Sequence, residues 1–272
     1  MSRFYGVIGD PIAHSLSPLI HNGWIRDHGL ETSYTAFQVP DGELKGALDT
    51  FAHRGAKGLN VTMPHKLSAL ALSETATPRA SQIRAANTLW RAGDGNWHAD
   101  NTDAPGFLVA LLPHLDRPVR GQKVLIIGAG GAARAVVYAL AEEGAVITLA
   151  NRTLSRAESL LADFPTVSAK PAPLEEALSR AAGFDFVVNT TSLGHQGQSL
   201  ALPPGEGRLL YDLSYGKAAD QTLKPAAEQG WSTQDGLSML VYQAAFAFER
   251  WFGIMPDADK GLARCRAVLE MA

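Results

Sequence analysis

The chain has 272 residues, 46% of them hydrophobic and 19% charged, with a formal net charge of −3. That is enough apolar material for a sizeable core and too little charge for disorder. Without any basic run the chain offers no nucleic-acid surface, and its single cysteine, Cys265, excludes an internal disulfide and a thiolate metal site.

The opening MSRFYGVIGD enters a strand at once, without an apolar stretch of signal-peptide length. A strand is expected over residues 5–8. A helix follows over 17–28, with Ser17 as N-cap, Pro18 at the first helical position and Gly29 past the end. Residues 34–39 read as a strand, 41–53 as a helix and 58–61 as a strand. A short helix opening at Pro64 and another over 77–84 lead to a hairpin of 88–91 and 97–99 around Gly93-Asp94-Gly95. After a helix over 104–115, Pro118-Val119-Arg120-Gly121 marks a boundary. Later strands fall at 185–188 and 209–213, with Pro165, Pro171, Pro173 and Pro203-Pro204 punctuating loops. The helix over 238–252 is apolar on almost every face and must be buried, at a junction between domains; a last helix over 257–271 is expected to pack on the first domain. Arg134 and Glu142-Glu143 interrupt the longest apolar region, so a soluble, cytoplasmic protein without a membrane span is expected.

The fold class that follows is α/β, with two α/β domains and a ligand cleft between them. A discontinuous substrate-binding domain takes residues 1–104 plus 237–272, and a Rossmann-like, doubly wound domain takes 105–236.

Residues 123–153, KVLIIGAGGAARAVVYALAEEGAVITLANRT, carry the most information. Strand, glycine turn, helix and second strand follow in the order of a dinucleotide site. Gly128 makes the tight turn, Gly130 lets the backbone approach a pyrophosphate, and Ala133 is the small residue where helix packs on strand. The pyrophosphate would sit on free N–H groups at the helix N-terminus. Where an acid would bind the ribose 2′-hydroxyl of NAD, this chain has Asn151 and then Arg152, with Arg156 one turn on. Cations there suit a 2′-phosphate, so the expected cofactor is NADP(H), although an arginine such as Arg152 is also common as a plain solvated side chain.

Four polar strings end first-domain strands: His14-Ser15-Leu16-Ser17-Pro18, Asn60-Val61-Thr62-Met63-Pro64-His65-Lys66, Asn87-Thr88 and Asn101-Thr102-Asp103. Their hydroxyls, amides, one ammonium and one carboxylate suit a small polyhydroxylated acid. Ser17 is a good N-cap whatever else it does, whereas Ser15 is not needed as one; Asn87 and Asn101 also suit turns. Lys66 falls in the first turn of its helix, where the dipole disfavours a cation, so it can lose its proton more readily and act as general acid or base. A carboxylate such as Asp103 in contact would favour the ammonium instead.

The strings SLSPLIHN, NVTMPHK, AANT, NTDAPGF, GAGGAARA, NRTLSRA, NTTSLG and DGLSMLVYQAAFAFERW, in this order, resemble the shikimate dehydrogenase family along essentially the whole chain. The resemblance implies NADPH-dependent, reversible reduction of 3-dehydroshikimate to shikimate, a step toward chorismate and the aromatic amino acids. It implies Lys66 and Asp103 as the catalytic pair. It implies Ser15 and Ser17, joined by Tyr215, on the substrate carboxylate, and Asn60, Thr62, Asn87 and Gln243 around the ring hydroxyls. Gln243, the strongly polar side chain in an apolar helix, needs a partner in any case, be it a substrate hydroxyl or a neighbouring carbonyl. On the cofactor side it implies Gly128, Ala129, Gly130, Gly131, Ala132, Asn151, Arg152, Thr153 and Arg156, with Leu213 and Gly236 near the nicotinamide. The partner is then a small molecule, with no metal, no nucleic acid and no membrane, in a monomer or homodimer. Alternatives are a quinate or aminoshikimate dehydrogenase, which Ser17 disfavours against a threonine, and a non-catalytic NADP-binding sensor of the same fold. Departures are Ala85 and Ala86 before Asn87, Ala104 and Pro105 after Asp103, and His195 where a methionine is frequent.

Overall fold

The computed structural model describes residues 3–271. The chain divides into two compact units: residues up to Gly106 together with those from Leu240 onward, and Phe107–Met239.

The first unit begins with β1 (Phe4–Gly9), α1 (Ser17–Asp27), β2 (Tyr34–Gln38), α2 (Leu44–His53) and β3 (Ala56–Val61). It continues through α3 (Lys66–Ala71), β4 (Thr75–Ala76), α4 (Pro78–Ile83), β5 (Thr88–Arg91) and β6 (Trp97–Asp100) to α5 (Asp103–Leu111). The sheet runs β2-β1-β3-β5-β6-β4. Helical crossovers keep β2, β1 and β3 parallel, and the tight turn at Gly95 (φ 82°) makes β5 and β6 an antiparallel pair. Because β5 also runs against β3, the end of β3, the start of β5 and the end of β6 meet at one edge. Asn60 pairs with Thr88, and Thr88 with Asp100. This register places three of the four polar strings side by side. Beneath them lies a core including Ile8, Leu59, Val61, Ala86, Leu89 and Ala99.

The second unit contains β7 (Lys123–Ile127), α6 (Gly131–Glu142), β8 (Val146–Asn151), α7 (Leu154–Ala162), β9 (Ala169–Pro173), α8 (Leu174–Ser179), β10 (Phe186–Asn189), β11 (Leu209–Asp212), α9 (Lys217–Glu228) and β12 (Ser232–Gln234). Its sheet, β12-β11-β10-β7-β8-β9, is parallel throughout and built on a fully buried run, Val124 to Ile127. Strand order reverses between β7 and β10, the switch point at which such sheets bind ligands. The division between units falls inside α10 (Leu237–Phe252), after which α11 (Ala258–Glu270) packs on α1. There Trp24 Nε1 donates to the Asp257 carbonyl at 2.8 Å, and a Cβ on Gly261 would stand 2.9 Å from the Trp24 ring.

Several expectations are corrected. Helix α1 begins at Ser17, so Leu16 occupies the N-cap position; Ser15 Oγ accepts the Ser17 N–H at 3.3 Å and supplies the polar contact expected of Ser17. Pro64 stands outside α3, because a turn closed by the His65 N–H on the Thr62 carbonyl (3.0 Å) delays the helix to Lys66. Pro171 and Pro173 lie within β9, an edge strand that tolerates a residue without an N–H. The short edge strands β4 and β12 carry too few residues to show a period. Among the described residues no helix is long and apolar enough to cross a membrane.

Candidate functional site

In the first unit, Lys66 opens α3 and Asp103 opens α5, and the Lys66 Nζ donates to Asp103 Oδ2 at 2.6 Å. Their side chains are 12% and 7% exposed, so the pair is nearly dry yet still reachable. Asn87, just before β5, holds the other carboxylate oxygen: its Nδ2 donates to Asp103 Oδ1 at 2.8 Å, to Thr102 Oγ1 at 3.0 Å and to Gln243 Oε1 at 3.1 Å. Its Oδ1 accepts the Thr102 N–H at 2.7 Å. Gln243, on α10, donates from Nε2 to the Leu240 carbonyl at 2.7 Å. The neighbouring carbonyl is therefore one partner of this buried amide, and Asn87 the other. Gly106 lets α5 approach α10 here, since a Cβ on it would stand 2.7 Å from the Gln243 nitrogen.

Asn60 joins the same lattice. Its Nδ2 donates to the Asn87 carbonyl and to Thr88 Oγ1, both at 3.3 Å, while Tyr34 donates to its Oδ1 at 2.7 Å. Behind them the buried His21 ring stacks on Tyr34 at 4.2 Å, and burial pushes the imidazole down to about 3. Burial likewise holds the Tyr34 phenol well above its usual range. Both rings are thus neutral supports. Thr62 is half-buried against Gly9, where a Cβ would stand 2.3 Å from its methyl. Ser17 is buried and Ser15 half-buried at the start of α1.

The second unit presents backbone in place of such a lattice. Gly128 (φ 109°) turns the chain out of β7, and a Cβ on it would lie 2.5 Å from Thr190 Oγ1. Ala129 and then Gly130 lead into Gly131 and Ala132, the first residues of α6; a Cβ on Gly130 would meet nothing within 4 Å. Gly130 is the N-cap of a twelve-residue helix whose first N–H groups lack intrahelical partners, so the turn fits a pyrophosphate. At the tip of β8, Asn151 Nδ2 donates to the Thr153 carbonyl at 2.9 Å and shapes the turn that leaves Arg152 and Arg156 exposed. Two exposed cations beside the end of β8 fit a 2′-phosphate.

Leu213 and Tyr215 follow β11, and Gly236 packs on Leu213 so closely that a Cβ would fall 2.1 Å from its carbonyl oxygen. His195 is exposed on a short 3₁₀ turn, Leu193–Gln196.

Residues missed in the sequence support these. Asp212 is buried, with Asn189 Nδ2 donating to one oxygen and the Ser214 N–H to the other, each at 2.8 Å. Burial pushes its carboxyl above the usual range against those bonds. Tyr34 binds Asn60 from within an element that reads as a strand, and only pairing across the sheet reveals it.

Three family models match in succession: shikimate dehydrogenase substrate binding domain over residues 7–89, shikimate/quinate 5-dehydrogenase over 113–196, and shikimate 5′-dehydrogenase C-terminal domain over 236–266. A shikimate dehydrogenase (NADP(+)) of Hyphomonas neptunium is 49% identical over 99% of both chains. The crystal structure of shikimate dehydrogenase from Aquifex aeolicus superposes with a TM-score of 0.87 at 35% identity, covering 97% of this chain and 98% of that one. The Thermus thermophilus enzyme in complex with NADP(H) and shikimate gives 0.84 at 38% identity over 98% and 99%.

Proposed function

This chain belongs to the shikimate dehydrogenase family, and we propose that it catalyses the reversible, NADPH-dependent reduction of 3-dehydroshikimate to shikimate, in the cytoplasm and on the route to chorismate. The observation that carries the reading is the Lys66–Asp103 pair, 2.6 Å apart and nearly dry, inside a lattice of amides.

When bound, NADPH supplies the hydride that adds to the substrate's C3 carbonyl. Gly128, Ala129, Gly130, Gly131 and Ala132 would hold its pyrophosphate, and Asn151, Arg152, Thr153 and Arg156 its ribose phosphate. Lys66 gives a proton from Nζ to the developing alkoxide and takes it back in the reverse direction; Asp103 orients Nζ and accepts the neighbouring ring hydroxyl. Asn87, Asn60, Thr62 and Gln243 are the further ring-hydroxyl partners, and the hydroxyls of Ser15 and Ser17 hold the carboxylate. Because Asn87 and Gln243 are already tied to each other, they meet the substrate preorganised, and little ordering is left for the moment of reaction.

The test is loss of NADPH absorbance with 3-dehydroshikimate, with NADH in parallel and quinate as alternative acid in the reverse direction. Turnover with NADPH and shikimate is expected; absence of turnover with every pair would leave the sensor reading standing.

A further inference from the structure

We propose that Asp100, a buried carboxylate outside the reacting pair, is a positioning residue: it holds the 100–103 turn and helix α10 in the register at which Asp103, Asn87 and Gln243 meet. The inference rests on the function proposed above.

Asp100 ends β6 and its side chain is 1% exposed. Its Oδ1 accepts the Asn101 N–H and the Thr77 hydroxyl, each at 2.7 Å. Arg79 Nη2 spans both oxygens at 3.0 and 2.9 Å, and Arg250 Nη2 reaches Oδ2 at 3.1 Å. One carboxylate thus joins three elements. Through Thr77 and Arg79 it holds α4. Through the Asn101 N–H it bends the chain into the turn whose third residue onward is Asp103. There Asn101 continues the turn, donating to the Ala85 carbonyl at 2.9 Å and accepting the Ala104 N–H at 3.3 Å. Through Arg250 it holds α10, where Gln243 lies seven residues earlier, two turns along the same face. Arg250 is itself fixed from the other side, its guanidinium 5.1 Å from the centre of the Trp90 ring on β5. The Asp100 carbonyl also accepts the Asn87 N–H at 3.1 Å. Asn87 is therefore bonded directly to Asp100, Asp103 lies three residues on in the turn that Asp100 shapes, and Gln243 lies two turns along α10 from Arg250.

Stability alone is a weak account of this group. Burying a carboxylate is costly, and an apolar replacement of the whole ion cluster is often as stable. Burial works against the ionised form; the Thr77 hydrogen bond and the charges of Arg79 and Arg250 outweigh it and keep the carboxyl below its usual range. A charge kept at such cost beside the reacting turn, and bonded to the helix that carries Gln243, fits the fixing of geometry, where displacements of an ångström cost as much as ~100-fold in rate.

The experiment compares wild type with Asp100→Asn and Arg250→Gln in the shikimate-oxidation assay, and measures the shikimate Kd by calorimetry. Asp100→Asn is expected to raise both the shikimate KM and Kd about tenfold while the NADP+ KM stays within about twofold, with a smaller rise, about threefold, for Arg250→Gln. Arg250→Lys, which keeps the charge, should recover part of that loss. A purely structural role lowers the active fraction, and hence kcat, with both KM values unchanged. Shikimate KM and Kd at the wild-type values in Asp100→Asn would overturn the inference. Should that variant not fold, wild-type values in Arg250→Gln overturn it instead. Wild type without turnover would sink the proposed function itself, so the two failures are told apart.

Discussion

In the first unit, Lys66, Asp103, Asn87 and Gln243 come from α3, α5, the residue before β5 and α10, and meet through side-chain hydrogen bonds of 2.6–3.1 Å. In the second unit, the candidate cofactor residues come mostly from one contiguous stretch, β7 to the start of α7, and present backbone N–H groups, an open space at Gly130 and exposed arginines. A small polyhydroxylated acid offers several directional groups, so its recognition needs many side chains fixed in three dimensions. A pyrophosphate is a diffuse anion that a helix N-terminus satisfies by itself. The buried aspartates follow the same division. Asp100 is ionised between two arginines, whereas Asp212 is held by the neutral donors Asn189 and Ser214 and its carboxyl is pushed up by burial.

The contrast is open to test, beginning with the largest expected effect. Lys66→Ala should lower kcat by ~10²–10⁴ with KM nearly unchanged, because it removes proton transfer and leaves the hydroxyl partners in place. Full kcat in that variant would break the reading of the first unit.

The buried side chains of the first unit should also make it the acid-sensitive one. His21 protonates in the folded protein only near pH 3, against an ordinary value of 6.5. The unfolded chain therefore binds that proton more readily, and stability present above pH 6.5 is lost as the pH falls toward 3. By pH 5 the loss should be ~2 kcal/mol. His21→Phe keeps the stacked ring without the titration, so its urea midpoint should fall less between pH 7 and pH 5 than that of wild type. Parallel curves would exclude His21 as the source.

For the second unit the decisive change is a methyl group. Gly130 has an ordinary φ of −99° and open space at its Cβ, so Gly130→Ala should leave Tm unchanged or slightly raised. The methyl would occupy the approach of the pyrophosphate and weaken NADPH binding about tenfold or more, read by fluorescence titration. An unchanged Kd would mean that the turn does not hold the pyrophosphate.

The smallest effect belongs to Arg152→Ala. Its exposed, screened charge should be worth a severalfold rise in the NADPH KM, a narrower preference over NADH, and a difference that shrinks with added salt. Cofactor selectivity equal to wild type would remove Arg152 from the ribose-phosphate site.

Much of this was legible along the chain, for reasons that differ from residue to residue. The candidate cofactor residues Gly128, Gly130 and Arg152 declare themselves because the glycine turn is local: strand, turn and helix lie within one window, and each small residue has a steric reason at a fixed offset. Lys66 and Asp103 stand out as polar residues at the ends of apolar elements, and their motif strings carry the family resemblance. What failed was local competition. Ser15 rather than Ser17 makes the capping contact, a turn pushes Pro64 out of α3, and an edge position admits prolines into β9.

The sequence by itself determined two α/β units, the glycine turn and its cationic neighbours, and which polar strings stand where strands end, because hydrophobic period and turn chemistry act over a few residues. Only the tertiary structure decided that an antiparallel β5 brings Asn87 to the same edge as Asn60 and Asp100, that Gln243 reaches it from α10, and that Asp100 ties α4, α10 and the Asp103 turn together. The Asn87–Gln243 hydrogen bond, between residues 156 positions apart, depends on strand order and helix docking, and those are settled by how the whole apolar core packs.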